Sequence, residues 1–190
     1  MLQFAVYDES GPAREWPLVN AHLLGQDDVA QPGKIAFKDG LISCKKRGAN
    51  AAALSLLHDV GPSGRLMLQT CLLPDRDEPY LLNVELARHR IKTFIVKSEE
   101  WQLWDLDPQH GAMRHWEEAR RLLTKAMITE DPLEADRLAR ESLLHGVEAS
   151  ERLAMIHAEI LLHRRFASRP ASSATLGVRV DPAANGQALQ

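Results

Sequence analysis

The sequence predicts an α+β fold, with a small antiparallel β-sheet or half sandwich over residues 1–79 followed by a three-helix bundle over residues 80–166. Three observations carry this reading. Short apolar runs alternate with polar residues and are punctuated by turn-forming pairs up to about residue 80. Beyond Pro79 the apolar residues recur at spacings of 3 and 4, the period of one helical face. Two Asp-Pro pairs then mark helix starts.

Leu2, Phe4 and Val6 alternate as one side of a short strand. A turn-rich stretch, Asp8 to Arg14, separates it from a second apolar segment, Leu18 to Leu24. Ile35-Ala36-Phe37 and Leu41-Ile42-Ser43-Cys44 flank Lys38-Asp39-Gly40. Asp-Gly between β-formers is a strong hairpin signal, because both residues tolerate the positive φ of a type I′ turn. Ala53 to His58 and Arg65 to Leu73 flank Gly61-Pro62-Ser63-Gly64, a second hairpin. Six short β segments in this region are the pattern of a small antiparallel sheet or half sandwich.

In the first helix Val84, Ala87, Ile91, Phe94, Ser98 and Trp101 share one face. Residues 90–97 are rich in β-formers, yet the helical spacing persists through them, so helix is preferred to strand. The second helix is expected to open at Asp107-Pro108, with Asp as N-cap and Pro at the first helical position. Its seam is Ala112, Trp116, Ala119, Leu123 and Ala126. The third begins at Asp131-Pro132-Leu133-Glu134, with Glu134 as the reaching-back acid of a capping box, and is expected to run to about Arg165. Its seam starts with the small residues Ala135, Ala139, Ser142, Gly146 and Ala149, which imply close helix approach. Residues 167–190 read as a small-residue linker followed by a lone alternating segment, Leu176, Val178 and Val180.

Composition narrows the function classes. With 45% hydrophobic and 26% charged residues the chain is that of a folded globular protein. A net charge of −3 provides no global attraction to nucleic acid or anionic membrane, so neither is an expected partner. No apolar run approaches the roughly 20 residues of a spanning helix, and the N-terminal residues have no signal-peptide pattern. A cytoplasmic protein with reduced thiols at Cys44 and Cys71 is the expectation.

Phosphate-loop, nucleophile-elbow and paired-cysteine motifs do not occur. Ser43-Cys44-Lys45-Lys46 matches Ser-x-x-Lys, but in a strand those two side chains point to opposite faces. The pairs Glu85/His89 and Glu159/His163, and the face shared by Glu141, His145 and Glu148, read as surface pairs on amphipathic helices. No metal and no cofactor is therefore expected. The basic runs 45–47, 88–92 and 163–165 read as solvated faces or helix C-terminal charges. Of the four tryptophans, Trp101 and Trp116 lie on helical seams and are expected in the core. Trp16, in a turn-rich stretch, and Trp104, between helices, are not tied to a seam, and an indole face there can stack on a sugar ring. These two are the candidate carbohydrate-binding residues.

Residues 65–76 (Arg-Leu-Met-Leu-Gln-Thr-Cys-Leu-Leu-Pro-Asp-Arg), Glu78-Pro79-Tyr80-Leu81-Leu82, Glu85-Leu86-Ala87-Arg88-His89-Arg90-Ile91-Lys92 and Lys97-Ser98-Glu99-Glu100-Trp101 carry a resemblance. Together they resemble the N-terminal region of bacterial endo-1,4-β-xylanase-like proteins of the glycoside hydrolase family 10-like group. The resemblance implies an accessory module of a xylan- or xylo-oligosaccharide-degrading enzyme. Its implied partners are a catalytic (β/α)8 barrel of the same protein and a xylo-oligosaccharide. Leu176-Gly177-Val178-Arg179-Val180-Asp181-Pro182 then resembles the first barrel strand. A barrel needs about 200 residues, and the asparagine-glutamate motif of the acid/base has no counterpart here, so no catalytic residue transfers. The chain alone is expected to be inactive. Glu85 and Glu99 fall in the resembling segments, but neighbouring cations such as Arg88 are expected to hold such carboxyls low, the wrong direction for an acid catalyst. The alternative function is a helical protein-interaction adaptor without a carbohydrate role, since residues 115–147 resemble one tetratricopeptide helix pair. A solenoid needs several copies, and none recurs.

Overall fold

The computed structural model describes residues 1–48 and 50–168. The fold is α+β. Its strands are β1 (Leu2–Ala5), β2 (His22–Leu24), β3 (Ala30–Gln31), β4 (Gly33–Lys38), β5 (Leu41–Lys46), β6 (Ala53–Asp59), β7 (Arg65–Gln69) and β8 (Tyr80–Leu81). The helices are α1 (Leu82–Glu100), α2 (Gly111–Ile128) and α3 (Pro132–Ser168). The strands form two four-stranded sheets, ordered β4-β5-β1-β8 and β3-β2-β6-β7.

Alternation in β1 buries Leu2 and Phe4, and Val6 continues the buried side just beyond it. Phe4 faces Ile42 across the antiparallel β1–β5 pair and Tyr80 across β8. The β1–β8 pair is parallel, the single departure from antiparallel pairing in the two sheets. Two residues are too short for an alternation signal, and their pairing with β1 carries the chain directly into α1. The β4–β5 hairpin turns on Asp39 (φ 49°) and Gly40 (φ 77°), both left-handed as a type I′ turn requires. A Cβ at Gly40 would also lie 2.9 Å from Pro12 Cβ, so two independent constraints hold that glycine. The expected strand from Leu18 shrinks to three residues, His22–Leu24, because Asn20 adopts φ 50° and breaks the extended run. Likewise β7 ends at Gln69: the Leu54 N–H donates to the Thr70 hydroxyl at 3.0 Å, so a side chain replaces the ladder acceptor.

Residues 90–97 are helical, as the 3/4 spacing requires, and Val84, Ala87, Ile91 and Phe94 are buried. Two helix starts differ from expectation. Asp107-Pro108 forms a turn, with Asp107 accepting from the Gln109 N–H at 2.8 Å, and α2 begins at Gly111. His110 is its N-cap, its Nδ1 accepting from the Ala112 N–H at 3.2 Å. Asp-Pro can open either a turn or a helix, and here the turn takes it. At α3 the Asp131 carboxylate accepts from the Leu133 N–H at 3.2 Å as expected, but Glu134 does not reach back. It pairs with Arg137 at 2.6 Å instead, because the guanidinium one turn on offers a charged, bidentate partner.

The three helices pack together. Ser142 donates to the Ala119 carbonyl at 2.7 Å, linking α3 to α2, and Phe94 stacks on Trp116 at 5.3 Å, linking α1 to α2. Neither the strands nor the helices bury a core of their own: Phe4, Ile42, Leu54, Leu86, Leu122 and Leu143 belong to one continuous cluster. Residues 1–157 form one compact unit; from Ala158 the described chain is the end of α3. No helix among the described residues is long and apolar enough to cross a membrane. The strand expected at Leu176–Val180 lies outside the described residues.

The small-residue seam has a direct test. A Cβ at Gly146 would lie 2.9 Å from Cγ of Arg90 and 3.5 Å from its Cβ. Those atoms are the root of the side chain, so they yield only if Arg90 moves as a whole. Gly146→Ala gains roughly 1 kcal/mol of helix propensity and should come out near neutral. Gly146→Leu should instead cost up to about 2 kcal/mol net, from overpacking of about 1–3 kcal/mol against that gain. Urea unfolding of both variants checks the order; a leucine variant as stable as wild type would mean that α1 and α3 do not meet closely there.

Candidate functional site

The indole of Trp16, in the β1–β2 connection, lies on the wall of a pocket of about 480 Å³. Three pieces of chain build it. The end of β6 contributes His58, the β6–β7 loop contributes Val60 and Pro62, and α3 contributes Arg140, Leu143 and Leu144. The loop is set by a 3₁₀ turn, Gly61–Ser63, closed by Val60 N–H to Gly64 O at 2.9 Å. Asp59 braces it by accepting from the Gly61 N–H at 2.8 Å. The Trp16 and His58 rings are 5.8 Å apart and tilted by 34°. Arg65 joins Arg140 on the polar part of the lining.

Behind this pocket runs a buried polar chain. His58, at 6% exposure, Asn83 at 0% and Asp136 at 1% come from β6, α1 and α3. Asn83 Nδ2 donates to Asp136 Oδ1 at 2.9 Å, and Arg140 Nε donates to Asp136 Oδ2 at 2.8 Å. A second Arg140 nitrogen donates to the Tyr7 carbonyl, which fixes the guanidinium between the strands and α3. Burial pushes Asp136 above the usual carboxylate range, with Asn83 and Arg140 pulling it back. Burial and the Arg140 charge lower His58 to about 4, so its ring is neutral at neutral pH. Asn83 Oδ1 meets no donor at hydrogen-bond geometry, yet its proximity favours a protonated His58.

An indole face, a neutral imidazole and a fixed guanidinium around an apolar-walled pocket are the means of binding a ring-shaped polar ligand. They contain no nucleophile activated by a base. Glu141 on the lining is engaged by Arg137, and Asp59 by the loop backbone.

Trp104 does not join Trp16. It lies in the α1–α2 connection, 66% exposed, and takes no part in the lining of the Trp16 pocket. Trp101 and Trp116, expected in the core, are both half-buried. Trp101 stacks on His157 at 4.5 Å, and Trp116 carries Arg120 over its ring at 4.7 Å. Cys44 is a buried thiol pushed up to about 12, and burial also raises Cys71.

Two expectations need correction. Glu85 is not a solvated carboxylate held low by cations: it is 3% exposed, and its desolvation outweighs Arg88 and Arg76, raising its pKa. It takes no part in the lining of the Trp16 pocket. Nor is the 45–47 run wholly a solvated face, since the Lys46 side chain is 3% exposed and pairs with Asp75 at 3.0 Å. Sequence reasoning missed His58, Asn83, Asp136 and Arg140; Asp136 and Arg140 stand at i and i+4 on α3, a pairing the spacing allows, but packing alone brings His58 and Asn83 to them. The other available signal was their chemistry, polar residues inside otherwise apolar periodic segments.

Comparison of the chain with family models, with curated proteins and with solved structures gives no match.

Proposed function

We propose that this chain is an accessory module of a xylanase-like glycoside hydrolase that contacts a xylo-oligosaccharide at the Trp16 pocket and packs on a catalytic barrel. The observation that carries the reading is the Trp16 indole on the pocket wall, with His58, Arg65 and Arg140 on the same lining. A pyranose ring offers an apolar C–H face to an indole and hydroxyls to imidazole and guanidinium groups. The resemblance of residues 65–101 supplies the choice of sugar. Trp104 serves as a control on a separate surface.

Titration of xylo-oligosaccharides followed by tryptophan fluorescence and by calorimetry tests the reading. Trp16→Ala should weaken binding about tenfold or more, the equivalent of about 1.4 kcal/mol, whereas Trp104→Ala should leave it unchanged. A titration that shows no heat and no fluorescence change in wild type removes the glycan role.

A further inference from the structure

A second groove, between α2 and α3, has nothing to do with the Trp16 pocket. His115 from α2 and His145 from α3 meet there with their Nδ1 atoms 3.0 Å apart, the rings 5.2 Å between centroids. Two metal–imidazole bonds of about 2.0–2.1 Å span roughly 2.9 Å at a right angle and 3.4 Å at the tetrahedral angle. That separation is an N–H···N hydrogen bond between nearly collinear rings, and it also falls inside the chelating bite, so an ion can replace the shared proton once the rings swing toward a common point. The surrounding sequence repeats itself on the two helices: His115-Trp116-Glu117-Glu118 and His145-Gly146-Val147-Glu148 are both His-x-x-Glu. That spacing places a carboxylate one turn from each imidazole on the same helix.

We propose that His115 and His145 chelate a divalent first-row ion of the zinc type between α2 and α3, with Glu148 swinging in as third ligand and water completing the shell. No three His, Cys, Asp or Glu side chains converge among the described residues. The reason is visible: Glu118 is gripped by Arg121 through two nitrogens, and Glu148 leans toward Arg152 at 3.7 Å. The second pair is the looser one. Both its members are nearly half-exposed, at 48% and 41%, so releasing the carboxylate costs little. Arg114, Arg121 and Arg152 face the groove against Glu117 and Glu118 on its lining and Glu148 beside it, so neither sign of charge dominates. Donor chemistry therefore decides, and two imidazole nitrogens at chelating distance select a borderline-soft cation.

Thermal unfolding of the full chain at neutral pH, with and without micromolar zinc chloride, is the test. Zinc should raise Tm by a few degrees, in a manner reversed by EDTA, because an ion that binds only the folded state stabilises it by mass action. His145→Gln keeps a hydrogen-bonding side chain opposite His115 and should fold, but should lose the zinc response. Glu148→Gln should keep it with affinity weakened about tenfold or more. Cobalt should give visible d–d absorption in wild type and none in His145→Gln. A wild-type Tm indifferent to zinc, or a zinc response that survives in His145→Gln, would overturn the site. Stabilisation by inorganic phosphate in place of zinc would also overturn it, and would make the groove an anion site.

Discussion

Lowering the pH from 6.5 to about 4 is expected to cost this protein about 3 kcal/mol of stability through His58 alone. Folded His58 resists protonation down to about 4, because its ring is buried and the Arg140 charge lies near it, whereas the unfolded ring takes a proton near 6.5. Between those values the unfolded chain binds the extra proton, so stability falls as pH falls. Above 6.5 both states hold a neutral ring and the contribution is flat. His89 and His115 are also lowered and act in the same direction. Asp136 and Glu85, both raised by burial, act in the opposite direction, since their folded forms take up protons first. A single pH curve therefore mixes signs, and the informative quantity is a difference. Urea unfolding of wild type and His58→Gln across that range should diverge by the stated amount, the variant being flatter. Parallel curves would mean that His58 is protonated in the folded state.

Removing the Asp136 carboxylate should destabilise the protein by about 2–4 kcal/mol. Asp136→Ala strips Asn83, at 0% exposure, of the one acceptor its amide nitrogen has at 2.9 Å. Its Oδ1 already meets no donor, so the whole amide would be left unsatisfied in the core. Arg140 adds less to the cost, because its side chain is 40% exposed and keeps its bond to the Tyr7 carbonyl. Replacing both buried partners, as Asn83→Leu with Asp136→Leu, should recover part of the loss, since apolar groups of similar size leave no orphaned donor. Calorimetric Tm values of the single and double variants form the check. The single change should lower Tm by several degrees, at about 2–4 °C per kcal/mol for a chain of this size. A single variant within a degree of wild type would mean that the Asn83–Asp136 bond does not hold α1 to α3.

The elements that the sequence announces are those whose signal is local. The type I′ hairpin at Asp39-Gly40 follows from two residues that accept positive φ, and the helical reading of residues 90–97 follows from spacing maintained from Val84 to Trp101. Where two local outcomes compete, the sequence is ambiguous: Asp107-Pro108 became a turn, and Glu134 chose Arg137 over the helix N-terminus. Trp16 was legible as a candidate because an aromatic residue in a turn-rich stretch is unusual, while its pocket was not. The groups that complete it, His58 and Arg140, belong to β6 and α3, and each looks like an ordinary member of its own segment.

Alternation before residue 80, 3/4 spacing beyond it and the small-residue seam of α3 were enough to determine the α+β class and the succession of a strand-rich half by a helical one, because each reports only on neighbours within a turn or two. The parallel β1–β8 pair, the polar chain from His58 to Arg140 and the meeting of His115 with His145 were decided by tertiary packing. The physical reason is burial. A polar side chain that ends inside must find a partner or shift its protonation, and which partner is near depends on how distant segments pack, which no periodicity along the chain encodes.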